Sequence, residues 1–369
     1  MNLIHSLRRT RIFAAPPYND YDGCAARGAR LRSSVDVSFA PRPGFCGAEP
    51  DPNPTLFPEG NSLAGKLYKY LAPGLAGKAL SQEGATLKFS LPSEFNDPFE
   101  LFLTVDRNSP PATLAFYEEV IGEMEMMPTT CFSRHPDVVP MWAHYGQNGE
   151  GFVIEVDEAS LRTELGESSA IQDVTYRDSQ DEDLAQSLAR AQIRQKFRDI
   201  YFLRNSVYHA AYFTKASCWS YEKERRLVLN DATDLVQADG MSLLSIPPQC
   251  VTAVILGSKT DAETKSRLRS YAADIGCEVY ECRIGRSSIT PFFLASNGSS
   301  RIFAGGEISE PENACGVCAE PLKEGNRCSW CRIEDADRDS AAASNSWRSL
   351  AAHGLLEEYI DSMNSVGKK

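Results

Sequence analysis

The chain has 369 residues, 42% of them hydrophobic and 24% charged, with a formal net charge of -12 at pH 7. That length buries one sizeable core and carries small appendages. The excess of acid argues against general binding to phosphate backbones, which needs clustered Lys and Arg, and with no run of about 18 apolar residues no membrane span is expected.

Residues 1–60 are punctuated by Pro16, Pro17, Pro41, Pro43, Pro50, Pro52, Pro54 and Pro58, and few apolar residues recur at any period. A disordered N-terminal extension is the expectation. Arg8, Arg9 and Arg11 with no acid before Asp20 have the composition of a transit peptide, but a disordered start is the simpler reading. No apolar core of a secretory signal follows the first residues.

Order is expected from about residue 61. Residues 67–71 read as a strand stopped by Pro73 and Gly74, and 87–91 alternate as a second. Residues 95–100 form a polar turn between two aromatics. A helix is predicted over 112–126, a strand over 129–133, and a short helix opened by Pro140 that carries Trp142, His144 and Tyr145. A strand over 151–157 follows. One long helix is predicted over 182–211, with Ile193, Phe197, Ile200, Tyr201, Val207 and Tyr208 on a single face. Strands are predicted over 224–229 and 251–256. Thr260 and Glu263 have the spacing of a capping box. The helix after them shows Leu268, Tyr271, Ala272 and Ile275 on one face and stops at Gly276. A strand over 277–284 closes the domain. The interleaving is too irregular for a doubly wound sheet, so the expected class is α+β: a mixed sheet with flanking helices over 61–285.

Residues 286–310 are rich in Ser and Gly and read as a linker. Cys315 and Cys318, then Cys328 and Cys331, form two Cys-x-x-Cys knuckles nine residues apart. Such spacing turns four thiolates onto one ion with tetrahedral geometry, the closed arrangement of structural zinc. A ribbon over 311–333 is too small for its own core, so metal must supply its folding energy and it reads as a separate module. Iron in a rubredoxin-like site is the competing ion, and disulfide or redox pairs are the competing chemistry. The other seven cysteines show no framework spacing, which fits a reducing cytoplasm. A terminal helix over 346–364 sets Trp347, Ala351, Leu355, Tyr359 and Met363 at intervals of four. The ribbon and this helix are the expected contacts for a protein partner. Glu310, Glu312, Glu320 and Glu324 disfavour nucleic acid there.

Four polar clusters could carry chemistry. Alternation puts Tyr68 and Tyr70 on one strand face, though core aromatics would look the same. Asn96 and Asp97 before Pro98 make a good turn, or a ligand-facing loop. Cys131 and Ser133 lead into the helix of Trp142, His144 and Tyr145. Lys215 precedes Trp219-Ser220-Tyr221-Glu222-Lys223-Glu224-Arg225-Arg226, where Glu222 and Glu224 would share a strand face and repel unless a cation or substrate hydroxyls lie between them.

In this order the segments Leu67-Tyr68-Lys69-Tyr70, Phe95-Asn96-Asp97-Pro98-Phe99-Glu100, Cys131-Phe132-Ser133, Met141-Trp142-Ala143-His144-Tyr145 and Trp219 to Arg226 resemble the bacterial family known as domain of unknown function 2971, over about 63–285. The succession of an aromatic first strand, a middle tyrosine and a late glutamate is also similar, more distantly, to ADP-ribosyltransferases, without a His or Arg in the first strand. That second resemblance implies a nucleotide-like ligand, with NAD as substrate. Glu222 or Glu224 would stabilise an oxocarbenium-like ribose, and Tyr145 would help in catalysis. Tyr68, Tyr70, Asn96, Asp97 and His144 would line the NAD site, with Lys215, Arg225 or Arg226 on a phosphate. A non-enzymatic ligand- or protein-binding module, such as a sensor or defence-associated protein, competes with it. A hydrolase with Cys131 as nucleophile, His144 as base and Glu222 or Asp97 as orienting group is the third reading.

Overall fold

The computed structural model describes residues 65–95, 104–122, 124–166, 169–230 and 232–366. The expected disordered extension over 1–60 and the turn bearing Asn96 and Asp97 therefore lie outside the described residues.

The fold is α+β, built on a ten-stranded mixed sheet. Its strands in chain order are β1 (Lys66–Leu71), β2 (Thr129–Ser133), β3 (Phe152–Asp157), β4 (Ser169–Asp173), β5 (Glu224–Leu229), β6 (Val251–Leu256), β7 (Glu278–Arg283), β8 (Phe292–Ala295), β9 (Ser300–Ala304) and β10 (Glu307–Ser309). In space they run β10-β9-β8-β7-β6-β3-β1-β2-β5-β4. The β6–β7 pair is parallel, joined by the helix Ala262–Ile275, and the other pairs are antiparallel.

Alternation along each strand sorts side chains between two faces. On one face Leu67, Phe152, Ile154, Val156, Leu227, Val254 and Leu256 pack against a second, four-stranded sheet through Leu80, Leu87, Phe89 and Ile246, and against Leu268 and Ala272 of the helix. On the other face, at the β4–β5 end, the helices Pro111–Ile121, Glu182–Arg194 and Phe197–Phe213 cover Ala170 and Val228. Nearer the centre Tyr68, Tyr70, Met141, Trp142, Val153, Ile255 and Phe293 form a third cluster. Each fully buried large apolar side chain contributes about 1.5–3 kcal/mol.

One joint in this sheet is weak. β1 pairs with β3 over six residues but with β2 through the single couple Tyr68↔Ser133. Beyond that couple the two central strands part.

The structure corrects several expectations. The helix predicted over 182–211 is two helices, broken at Gln195, which has a left-handed φ of 51°. The chain turns back there, so Leu184 and Leu188 pack beside Leu203 and Val207, while Ile193 and Phe197 stand exposed at the corner. Periodicity continued through the break and hid it. The helix predicted over 112–126 stops at Ile121. Asp261, not Thr260, caps the helix Ala262–Ile275, accepting from Thr264 N at 2.9 Å. Thr260 instead donates its hydroxyl to Gly151 O at 2.8 Å. The stretch read as a linker, 286–310, carries β8, β9 and β10, so the strand over 277–284 does not close the sheet. Its Ser and Gly residues serve hairpin turns, such as Gly298 at φ 80°. The terminal helix is also divided, into Ser346–Ala352 and Leu356–Ser365, because Gly354 adopts φ 73°. Trp347, Leu355, Tyr359 and Met363 remain exposed there. Among the described residues no helix is long and apolar enough to cross a membrane.

Candidate functional site

The parting of β1 and β2 opens a cleft of about 340 Å³. Tyr68, Lys69 and Tyr70 of β1 line it, with Cys131 and Ser133 of β2, Tyr145, Lys215, Trp219, Glu222 just before β5, and Glu224 and Arg226 at the start of β5. Lys88, Ser90, Glu94 and Phe95 border it from the second sheet and the turn after it. The front-strand tyrosines, the mid-chain tyrosine and the late carboxylates thus meet at one hollow. His144 does not line it: it is exposed, with its ring 6.2 Å from that of Tyr221.

The carboxylates reach the cleft by a different route from the one expected. Only Glu224 is in the strand. Glu222 ends the short helical turn Ser217–Glu222, and Lys223, left-handed at φ 47°, reverses the chain between them. The turn is held from β2, where Ser133 donates its hydroxyl to Glu222 O at 2.6 Å and Arg134 N donates to Lys223 O at 2.8 Å.

Four buried ionic groups pair with one another at the cleft. Lys215 Nζ lies 2.7 Å from Glu222 Oε2 and 3.2 Å from Glu224 Oε2. Arg226 grips Glu224 through Nε at 2.7 Å and a second nitrogen at 3.3 Å. Tyr145 donates its hydroxyl to Glu222 Oε1 at 2.6 Å. Lys215 also sits 4.9 Å over the Trp219 ring, and Arg226 lies 5.2 Å over Phe95.

The two carboxylates respond oppositely to this setting. Burial disfavours charge on Glu224, but the adjacent Arg226 and then Lys215 overcome it and hold the carboxyl at about 2. Glu222 is raised, because burial outweighs the pull of Lys215 and the charge of Glu224 repels a second anion. Burial would lower Lys215, yet Glu224 and Glu222 hold it above the ordinary lysine value. Burial raises the Tyr145 hydroxyl, and its bond to Glu222 raises it further. Glu222 is therefore the more readily protonated carboxylate, and Glu224 is saturated by cations.

Sequence reasoning assigned phosphate contacts to Lys215, Arg225 or Arg226. Lys215 and Arg226 are instead committed to the buried carboxylates, and Arg226 also donates to Tyr212 O at 2.9 Å. Arg225 faces the other side, paired with the fully buried Glu158. Tyr70 borders the cleft with its hydroxyl already donated to His135 O at 2.9 Å and its ring edge-on to Trp142. The cysteine-hydrolase trio is not assembled: burial pushes the Cys131 thiol up, and no contact joins it to the exposed His144 among the described residues. Lys69, between the two tyrosines, also lines the cleft. Its spacing gave no signal, because a lone lysine within an aromatic strand reads as an outward-facing residue.

A second candidate site is the cysteine cluster. The four Sγ atoms of Cys315, Cys318, Cys328 and Cys331 lie within 4.8 Å of one another and could hold a metal such as zinc. Tetrahedral Zn–S bonds of about 2.3 Å put neighbouring sulfurs about 3.8 Å apart. The Cys318–Cys328 separation is 3.8 Å. Cys328 N and Cys331 N donate to Cys315 Sγ and Cys328 Sγ at 3.4 Å, and the backbone N–H groups around Cys315 lower its thiol to about 6. The module is not detached from the main domain. Glu320, buried beside the cysteines, accepts from Arg286 N at 2.5 Å and Ser287 N at 2.8 Å, and Arg286 lies 5.3 Å over Trp330.

No curated protein and no solved structure matches the chain. Within the 63–285 expected from the motifs, residues 141–227, which carry Tyr145, Lys215, Glu222, Glu224 and Arg226, match the family model described as Protein of unknown function (DUF2971).

Proposed function

We propose that the cleft binds a nucleotide-like small molecule and cleaves the nicotinamide–ribose bond of NAD, transferring ADP-ribose in the manner of an ADP-ribosyltransferase. The observation that carries this reading is the convergence of Tyr145, Lys215, Glu222 and Glu224 with the β1 tyrosines on one hollow. A volume of about 340 Å³ is at the small end of ligand pockets, room for a flat ring and a sugar with the rest of the dinucleotide reaching outward.

Bond cleavage leaves the electron pair on nicotinamide and an oxocarbenium-like charge on the ribose. The acceptor's nucleophile then bonds to the anomeric carbon and its proton passes to the ionised Glu222. Glu222 is the working carboxylate in this scheme, since Glu224 is fully engaged by Arg226 and Lys215. An ionised Glu222 stabilises the developing charge and accepts from a ribose hydroxyl. Tyr145 aims Glu222, and Trp219 offers a face for the nicotinamide ring.

The test is incubation with labelled NAD and measurement of nicotinamide release, with and without cell extract as the source of acceptor. Glu222→Gln should abolish release while the protein still unfolds cooperatively. Wild-type protein that never releases nicotinamide sinks the transferase reading. The mutual pairing of Lys215, Glu222, Glu224 and Arg226 favours a second reading, a binding module whose cleft is pre-organised to hold a ligand unchanged. In both readings the four cysteines hold a structural zinc ion. The ribbon and terminal helices, with Trp347 and Tyr359 exposed, then serve a protein partner.

A further inference from the structure

We infer that Lys69 forms the anion subsite of the cleft and takes the phosphoryl oxygens of its ligand; this rests on the ligand-binding reading of the cleft but not on catalysis. Lys69 lies on the face of β1 opposite Tyr68 and Tyr70, toward the second sheet. Its ammonium reaches across from β1 to β2, donating to Thr130 Oγ1 at 2.9 Å and Cys131 O at 2.8 Å. Both acceptors are neutral. Among the described residues no carboxylate pairs with Lys69, whereas Lys215 and Arg226 on the same cleft are both neutralised.

A half-buried ammonium held by neutral oxygens is costly for a fold to maintain, and the cost falls when an anion arrives. The groups facing it agree with that role. Lys88, from the second sheet, adds another positive charge on the same wall, and Glu224 is already spent on two cations. The Cys131 thiol, raised by burial, contributes no negative charge. Burial lowers the Lys69 ammonium, as expected of a cation awaiting its counter-ion. The cleft thus brings carboxylates and aromatics, at Glu222, Tyr145 and Trp219, together with the ammonium groups of Lys69 and Lys88, with Glu94 on the same border as Lys88. A ligand that joins a ring and sugar to a phosphate matches that lining.

Inorganic pyrophosphate is the probe, because it carries the phosphoryl oxygens without ring or sugar. Limited acylation of the wild-type full chain with acetic anhydride, read by mass spectrometry, should label Lys69, and pyrophosphate should protect it. By calorimetry Lys69→Gln should weaken pyrophosphate binding about tenfold, near 1.4 kcal/mol, and Lys69→Arg should restore much of it. A structural role alone would predict loss of stability in Lys69→Gln with no change in anion affinity. Labelling of Lys69 indifferent to pyrophosphate overturns the inference, even if the variants fail to fold. If NAD is never cleaved yet pyrophosphate still protects Lys69, the transferase reading fails and the subsite stands. If NAD is cleaved and Lys69→Gln leaves its KM unchanged, the subsite fails alone.

Discussion

Arg226→Met tests whether the ionic set at the base of the cleft holds the fold as well as the site. Arg226 is 1% exposed and binds Glu224 through two nitrogens. The carboxyl of Glu224 sits at about 2 against an ordinary 4.5, which at 1.36 kcal/mol per unit corresponds to about 3 kcal/mol of favourable interaction in the ionised state. Removing Arg226 also orphans Tyr212 O, bonded at 2.9 Å, for about 1 kcal/mol more. Lys215 also holds the Glu224 carboxyl down and remains in the variant, so the expected loss at pH 7 is at most about 4 kcal/mol, near the 3–5 kcal/mol typical of breaking a buried pair. Against a total of about 5–15 kcal/mol the variant stays folded but marginal. Because the folded pKa is depressed, this stabilisation is present above pH 4.5 and fades as the pH falls toward 2. Urea unfolding followed by tryptophan fluorescence at pH 7 and pH 3 should show the gap between variant and wild type narrowing in acid. Glu224→Gln combined with Arg226→Met should recover about half the loss, since no unpaired buried anion remains. A loss under about 1 kcal/mol, or one equal at both pH values, would refute the reasoning.

Four further outcomes are expected. Glu222 is raised by its burial and by Glu224, so nicotinamide release should fall on the acid side beginning above pH 4.5, and Tyr145→Phe should cut the rate about 10–100-fold by removing a charge-assisted bond of about 1.5–3 kcal/mol. The protein should carry one zinc per chain by plasma mass spectrometry; Cys328→Ser or a chelator should abolish it and speed amide exchange at 286 and 287, where Glu320 accepts. Gly151→Ala should unfold the protein at ordinary temperature, because a Cβ there would sit 2.1 Å from Leu71 O; a soluble, cooperatively folding variant would contradict the close approach of those two backbones.

Much of the scaffold was legible because its signals are local. β2, β5 and β6 stand at the residues their apolar runs predicted, and Gly276 ends its helix at φ 82° as its position implied. The errors arose where one local signal had two tertiary outcomes. Periodicity through Gln195 could not distinguish one helix from a helical hairpin. The polar composition of 286–310 suits a linker or a set of edge strands with tight turns, and pairing to β7 decided for strands. At the site, the residue types were readable and their partners were not. Glu222 and Glu224 are two apart, as sharing a strand face requires, yet they converge on Lys215 through a left-handed Lys223. That Arg226 would be consumed by Glu224, and Lys69 left without a counter-ion among the described residues, depends on which strands adjoin, and strand order is a long-range property.

The single Tyr68↔Ser133 couple between β1 and β2 divides the ten strands into two leaves, seven on one side and three on the other. Whatever settles in the opening stands where rungs of the ladder would otherwise be. Cargo and brace are then the same object, and filling the opening knits the leaves together, so occupancy should be felt as stiffness in strands that never touch the guest.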